Sequence, residues 1–220
     1  MKYPGLIFRG ALIAALAYFS YLLLLISLQY VPFSKDVAFL KIKATEVLLP
    51  YYIPFFKAHI FTSFFLLLAG FTQFSPFVRK KYRRVHRLMG WFYCTILLLF
   101  SAPSGLVLGF HANGGVLSQF TFLLLGFLWI YTTIQSLRYA FKKEWIKHKQ
   151  FMIRSYALTL SAITLRLWKY IIVVLFHPPP MDVYRIVAWL GWVLNILIAE
   201  WIIFSFSTSV SEDILETKIT

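Results

Sequence analysis

A chain of 220 residues that is 60% hydrophobic and 20% aromatic, with a mean hydropathy of +0.74, carries more apolar surface than a soluble domain of this length can bury. A net charge of +14 would suit nucleic acid, yet the cations fall in short segments between long apolar runs, where the positive-inside rule and anionic lipid account for them. Composition therefore excludes a soluble domain, argues against a nucleic-acid partner, and places an all-α, polytopic bundle in the lipid bilayer as a single domain, residues 1–220.

Six spans are expected in chain order: Leu6–Tyr30, Tyr52–Phe74, Leu88–Phe110, Val116–Leu137, Phe151–Phe176 and Tyr184–Phe206. Each is long enough to cross ~30 Å of hydrocarbon. The first span is too long for a secretory signal, and no small-residue cleavage site follows it. After it, Val31–Tyr51 should lie outside although it carries Lys35, Lys41 and Lys43; its "FLKIKATEVLL" is amphipathic and suits an interfacial helix or cap. The second and third spans are joined by "FVRKKYRRVHR" (Phe77–Arg87), which holds six Lys/Arg, and the fourth and fifth by "LRYAFKKEWIKHK" (Leu137–Lys149), which holds five. The turns "HANGG" (His111–Gly115) and "HPPPMD" (His177–Asp182) hold none. The basic connectors are therefore expected in the cytoplasm, with Lys2, Arg9 and the tail "SEDILETKIT" on the same side. Cys94 sits inside the third span and, as the single cysteine, forms no intrachain disulfide.

Ionisable groups at membrane depth carry the functional signal, because each costs about 2.5–3.5 kcal/mol at a helix centre on the insertion scale. At ~1.5 Å of rise per residue, Arg166 falls near the middle of the fifth span and His59 somewhat outside the middle of the second. Arg154 and Glu200 share a depth on the inner half, which makes them a structural ion pair. Arg166 cannot shed its proton, so it either snorkels to the outer headgroups beside Lys169 or faces the interior and holds an anion or carbonyl cluster. Near His59 and Arg166 in depth, Pro103 breaks the hydrogen-bond ladder of "SAPSGLVLG", and Ser104 and Gly105 leave room beside it. His111 and His177 are expected to be solvated turn residues.

His86 and His148 begin two spans at the same level, and two imidazoles at one level are what bis-histidine ligation of a haem iron requires. In that reading the protein binds haem b through His86 and His148, with Arg83, Arg84 and Arg154 near the propionates, and exchanges electrons with a quinone or other redox partner. Both histidines equally suit basic loops touching phosphate. The alternative needs no cofactor: His59, Arg166, Pro103 and Ser104 form a binding site for an anionic or lipidic solute, as in a carrier. A scaffold subunit of a larger complex is the third reading. No phosphate loop, zinc-hydrolase spacing, cysteine cluster or nucleophile elbow is present.

In order along the chain stand His59, Gln73-Phe74, "HRLMG" (His86–Gly90), "APSGL" (Ala102–Leu106), Gly114-Gly115, "WIYTT" (Trp129–Thr133), "HKQFMIRSYALT" (His148–Thr159) and "TLR" (Thr164–Arg166). From His59 to Tyr170 this stretch resembles an uncharacterised family of bacterial polytopic membrane proteins, a domain of unknown function. The resemblance implies a multi-pass protein of the bacterial inner membrane and no particular activity. Where the family has an aromatic residue, usually Trp, just before the Met, this chain has Phe151.

Overall fold

The computed structural model describes the backbone of residues 3–31 and 37–219, with side chains at 10, 11, 13–31 and 37–205. Lys2, Lys35, the side chain of Arg9 and the side chains of the tail lie outside the described residues. Among the described residues there are helices and turns and no strand. Among the described residues four helices have the length and apolarity to cross a membrane, or five if one bent pair is a single span, and the shorter apolar stretch Ile13–Leu28 precedes them. The chain divides into two compact units, Met1–His111 and Ala112–Thr220.

The first unit holds α1 (Tyr3–Leu28), α2 (Tyr52–Gln73), α3 (Pro76–Lys81), α4 (Arg83–Ile96) and α5 (Ala102–Phe110). The basic connector expected between spans is itself helical. Ser75 accepts from the Val78 amide and Pro76 takes the first turn, so α3 starts under a conventional cap. α4 then runs into α5 through a π-helical turn, Leu97–Ser101, immediately before Pro103. Leu66, Leu67 and Ala69 of α2 are fully buried, as are Tyr93, Leu97 and Ala102 on the helix that packs against it.

Between α1 and α2 the expected cap is present as two 3-10 turns, Ala38–Ile42 and Glu46–Leu48. Leu40 and Val47 anchor it against Tyr30, Tyr52 and Phe56. Its most informative residue is Lys43, only 1% exposed. The ammonium binds Glu46 Oε1 at 2.9 Å and also donates to the carbonyl of His111, at the end of α5. A cation at a helix C-terminus meets unsatisfied carbonyls and the negative end of the helix dipole. This lysine is an internal tie.

The second unit holds α6 (Val116–Phe141), α7 (Trp145–Thr159), α8 (Ser161–Phe176) and α9 (Pro180–Ile219). Lys143, at φ 60°, turns the chain after α6, with Glu144 and Lys143 amides returning to the Tyr139 and Ala140 carbonyls. His177, at φ 47°, closes α8 ahead of the prolines in the same left-handed conformation. The expected fifth span, Phe151–Phe176, is not one helix: α7 and α8 meet at a bend of 42°. Asn195 of α9 supports the break, its amide donating to the Ala157 carbonyl at 3.0 Å and to Thr164 Oγ1 at 3.0 Å. Leu165 covers Gly191, where any Cβ would lie 2.9 Å from the Leu165 Cβ.

Candidate functional site

In the second unit α6 and α7 are joined by hydroxyls and rings inside an apolar interface. Trp129 Nε1 donates to Thr159 Oγ1 at 3.0 Å, Thr133 Oγ1 meets Ser155 Oγ at 2.7 Å, and Ser136 meets His148. Partner numbers fall on α7 as they rise on α6, so the helices run antiparallel. Such contacts hold helices together where lipid removes the hydrophobic drive for association.

The last rung orients an imidazole. His148 Nδ1 lies 2.9 Å from the Ser136 carbonyl oxygen and 3.0 Å from its hydroxyl. A carbonyl can only accept, so Nδ1 carries a proton and Nε2 is the nitrogen turned away from this contact. Trp145 packs edge-on against the ring at 6.3 Å. A ring held by Nδ1–H donation to a backbone carbonyl is the arrangement that metal-bound histidines share.

One to two turns further along α7, the Arg154 guanidinium grips Glu200 of α9 with two parallel bonds, Nε to Oε1 at 2.6 Å and Nη2 to Oε2 at 2.7 Å. Its other face lies 5.0 Å from the centre of the Phe151 ring. That ring is in turn stacked on Tyr139 at 5.4 Å and met edge-on by Tyr131 at 6.2 Å. The arginine is thus held by a fork and a platform. A cavity of about 320 Å³ opens beside it, with Leu128, Leu158 and Ile196 as apolar walls, Tyr131 and Phe151 as rings, and the ion pair at its polar end.

In the first unit His59 meets the π-helical turn. Its Nδ1 donates to the Ser101 carbonyl at 2.8 Å, and that oxygen also accepts from Ser104 Oγ at 3.1 Å. Thr62 Oγ1 lies 2.6 Å from Ser101 Oγ. Ser101 and Ser104 are buried. The room expected beside Pro103 is filled, because the His59 ring itself lies over Gly105: a Cβ there would come within 2.9 Å of His59 Cε1. A π-turn redirects carbonyls out of the α-helical ladder, which is how one becomes available to a histidine. His59, Pro103 and Ser104 thus share one place. Arg166 belongs to the second unit, is exposed, and donates to the Ala162 carbonyl of its own helix.

His86 is half-buried in the first turn of α4, beside exposed Arg83 and Arg84. Gln73, at the end of α2, donates from Nε2 to the His86 carbonyl at 3.0 Å. The group that approaches Gly90 is the same amide, where a Cβ would lie 3.1 Å from Gln73 Oε1. His111 departs from the solvated turn expected for it: Nε2 lies 3.2 Å from the Tyr51 hydroxyl, and the ring meets Tyr52 edge-on at 5.7 Å. His177 is exposed. Among the described residues no three His, Cys, Asp or Glu side chains group to hold a metal ion.

Residues 56–203 match the family model described as a predicted membrane protein, DUF2306. The chain belongs to this family. No curated protein and no solved structure matches. The DUF2306 region runs from the middle of the first turns of α2 to the far side of Glu200, so it takes in His59, both joined helix pairs and the ion pair, and leaves out α1 and the cap. In this DUF2306 chain the stretches that carry the resemblance are contact residues: Trp129 and Thr133 on one helix, Ser155 and Thr159 on the other, Gln73 against Gly90, and Gly105 under His59. Gln73 stands in the sequence with no visible role, Lys43 reads there only as a cation in an external segment, and Ser136 and Asn195 carry no separate signal. The hydroxyls of Thr133 and Ser136, on one face of an apolar span, were the available signal for a partner across the helix interface.

Proposed function

We propose that this protein is a b-type haem-binding membrane protein that moves electrons, with His148 as an axial ligand. The observation that supports it is the His148 ring itself, in the first turn of α7, its Nδ1 proton committed to the Ser136 carbonyl at 2.9 Å. An imidazole held in this way offers Nε2 to an iron. Haem would supply the one-electron chemistry; the chain would supply the ligand and its orientation. His86 and Arg84 enter this reading from the sequence alone. Arg154 enters with its Nε and one Nη2 hydrogen bond already committed to Glu200 and one face on Phe151, so a propionate would meet only its remaining N–H groups.

The same reading has six spans, both termini in the cytoplasm, and the inner membrane of a bacterium as the location. A solute carrier centred on His59, Arg166, Pro103 and Ser104 has less support, because the space beside Pro103 is filled by the His59 ring and Arg166 bonds its own helix.

The test is the absorption spectrum of protein purified from haem-replete cells. A Soret band with sharp α and β bands on dithionite reduction is expected. His148→Ala and His86→Ala should abolish it, while His111→Ala and His177→Ala leave it unchanged. A colourless preparation rejects the reading.

A further inference from the structure

The cavity beside Arg154 in the second unit has a composition that selects a ligand. Its walls include Leu158 and Ile196, Tyr131 and Phe151 present rings to it, and its polar end is the Arg154–Glu200 pair. At about 320 Å³ it is at the small end of ligand sites, which are mostly apolar with a few placed polar groups. The elements around it form part of a membrane-spanning assembly, so an apolar tail has somewhere to go.

The charges decide the ligand class. Both bonds of the ion pair are short, at 2.6 and 2.7 Å, and the two formal charges cancel. An anion entering the cavity would have to displace Glu200, which is half-exposed, and leave its carboxylate without a counter-ion; a cation would leave the partly buried Arg154 without one in the same way. A neutral head group faces neither penalty. It still finds hydrogen-bonding capacity, because a guanidinium has five N–H donors and the fork to Glu200 uses two, while a carboxylate has lone pairs beyond those two bonds. A carbonyl on the ligand suits the former, a hydroxyl the latter, and a flat head suits the Tyr131 and Phe151 rings.

We propose that this cavity binds a neutral amphiphile whose head carries a carbonyl or hydroxyl group, seated against the Arg154–Glu200 pair with its tail along Leu158 and Ile196. The site is separate from His148 and does not rest on the haem reading.

The experiment is a radioligand assay on the full chain in nanodiscs, with tritiated decylubiquinone as probe and unlabelled monoolein and dodecyl phosphate as competitors. Saturable decylubiquinone binding is expected, at least tenfold weaker in Ile196→Phe, which fills the cavity from a half-buried position. The melting temperature of that variant should stay near that of the unaltered protein. Displacement by monoolein would identify the neutral carbonyl as the recognised chemistry, and its failure would narrow the class to ring head groups. Glu200→Gln uncovers the arginine charge, so dodecyl phosphate should then compete better than it does against the unaltered protein. A purely structural ion pair would not move that preference. Absence of saturable binding, binding unaffected by Ile196→Phe, or dodecyl phosphate competing as well as the neutral probe against the unaltered protein would each overturn the proposal.

Discussion

Arg154 places a permanent charge in an apolar segment, and two side chains make that tolerable. Glu200 cancels the charge through two bonds at 2.6 and 2.7 Å, and Phe151 covers the guanidinium face at 5.0 Å. Arg154→Gln and Glu200→Gln should each lower the melting temperature, because each leaves the other charge without its counter-ion. The double variant should lose less than the sum, with a coupling of about 0.5–3 kcal/mol. Strict additivity in the four melting curves would show that the two groups act separately. Phe151→Leu should cost less, on the order of 0.5–2 kcal/mol for the cation–π contact. That Arg154 and Glu200 meet was legible from helical rise alone, since both positions count from the ends of long apolar runs. The environment of His111 was not, because its partner Tyr51 stands 60 residues earlier in the chain. Turn composition says nothing about what folds down over the turn.

Helix existence was largely readable from apolar length, but α4, α7 and α9 run past the expected ends into polar sequence at Arg83, Trp145 and Ile219, and irregularities inside helices were only partly readable. Pro103 announced a disturbance, and the π-turn at Leu97–Ser101 stands just ahead of it. The 42° bend between α7 and α8 had no such marker, since Phe151–Phe176 contains neither Pro nor Gly. What sustains the bend is Asn195, on another helix, with its amide on the Ala157 carbonyl at 3.0 Å. Carbonyls in the last turn of a helix lack intrahelical donors, so Asn195→Leu should leave that oxygen buried and unmet. A loss of about 1–3 kcal/mol is expected in thermal melting; an unchanged melting curve would mean the bend is set without it. The cap behaves as an element of its own and responds to acid. Burial works to raise the Glu46 carboxyl, but hydrogen bonds from Lys43, its own backbone and Thr45 outweigh it and hold the group below its usual 4.5. A depressed folded value means the contribution is complete above about pH 4.5 and drains away as pH falls through the folded value. The difference in melting temperature between the unaltered protein and Glu46→Gln should therefore be present at neutral pH and close in acid. A gap that persists at pH 3 would place the stabilisation elsewhere.

At the scale of the molecule the question is which ends of the spans face the cytoplasm. The sequence argument counts cations in connectors, and the three lysines of Val31–Tyr51 stood against it. The structure removes one of them from that count: Lys43 is 1% exposed and bound to Glu46 and the His111 carbonyl, so its charge is neutralised within the fold. The connectors with six and five Lys/Arg keep their cations on exposed side chains, among them Lys80, Lys81, Arg83, Arg84, Lys142 and Lys143. Such residues remain available to anionic lipid, at about 1 kcal/mol each near the surface. The asymmetry between connectors is therefore wider in the folded protein than in the sequence. Reporter fusions after Arg84 and Lys147 should be active in the cytoplasm, and fusions at Gly114 and Pro179 on the opposite side. An external signal after Arg84 would reverse every depth assigned here, and would put His86 and His148 at the outer surface.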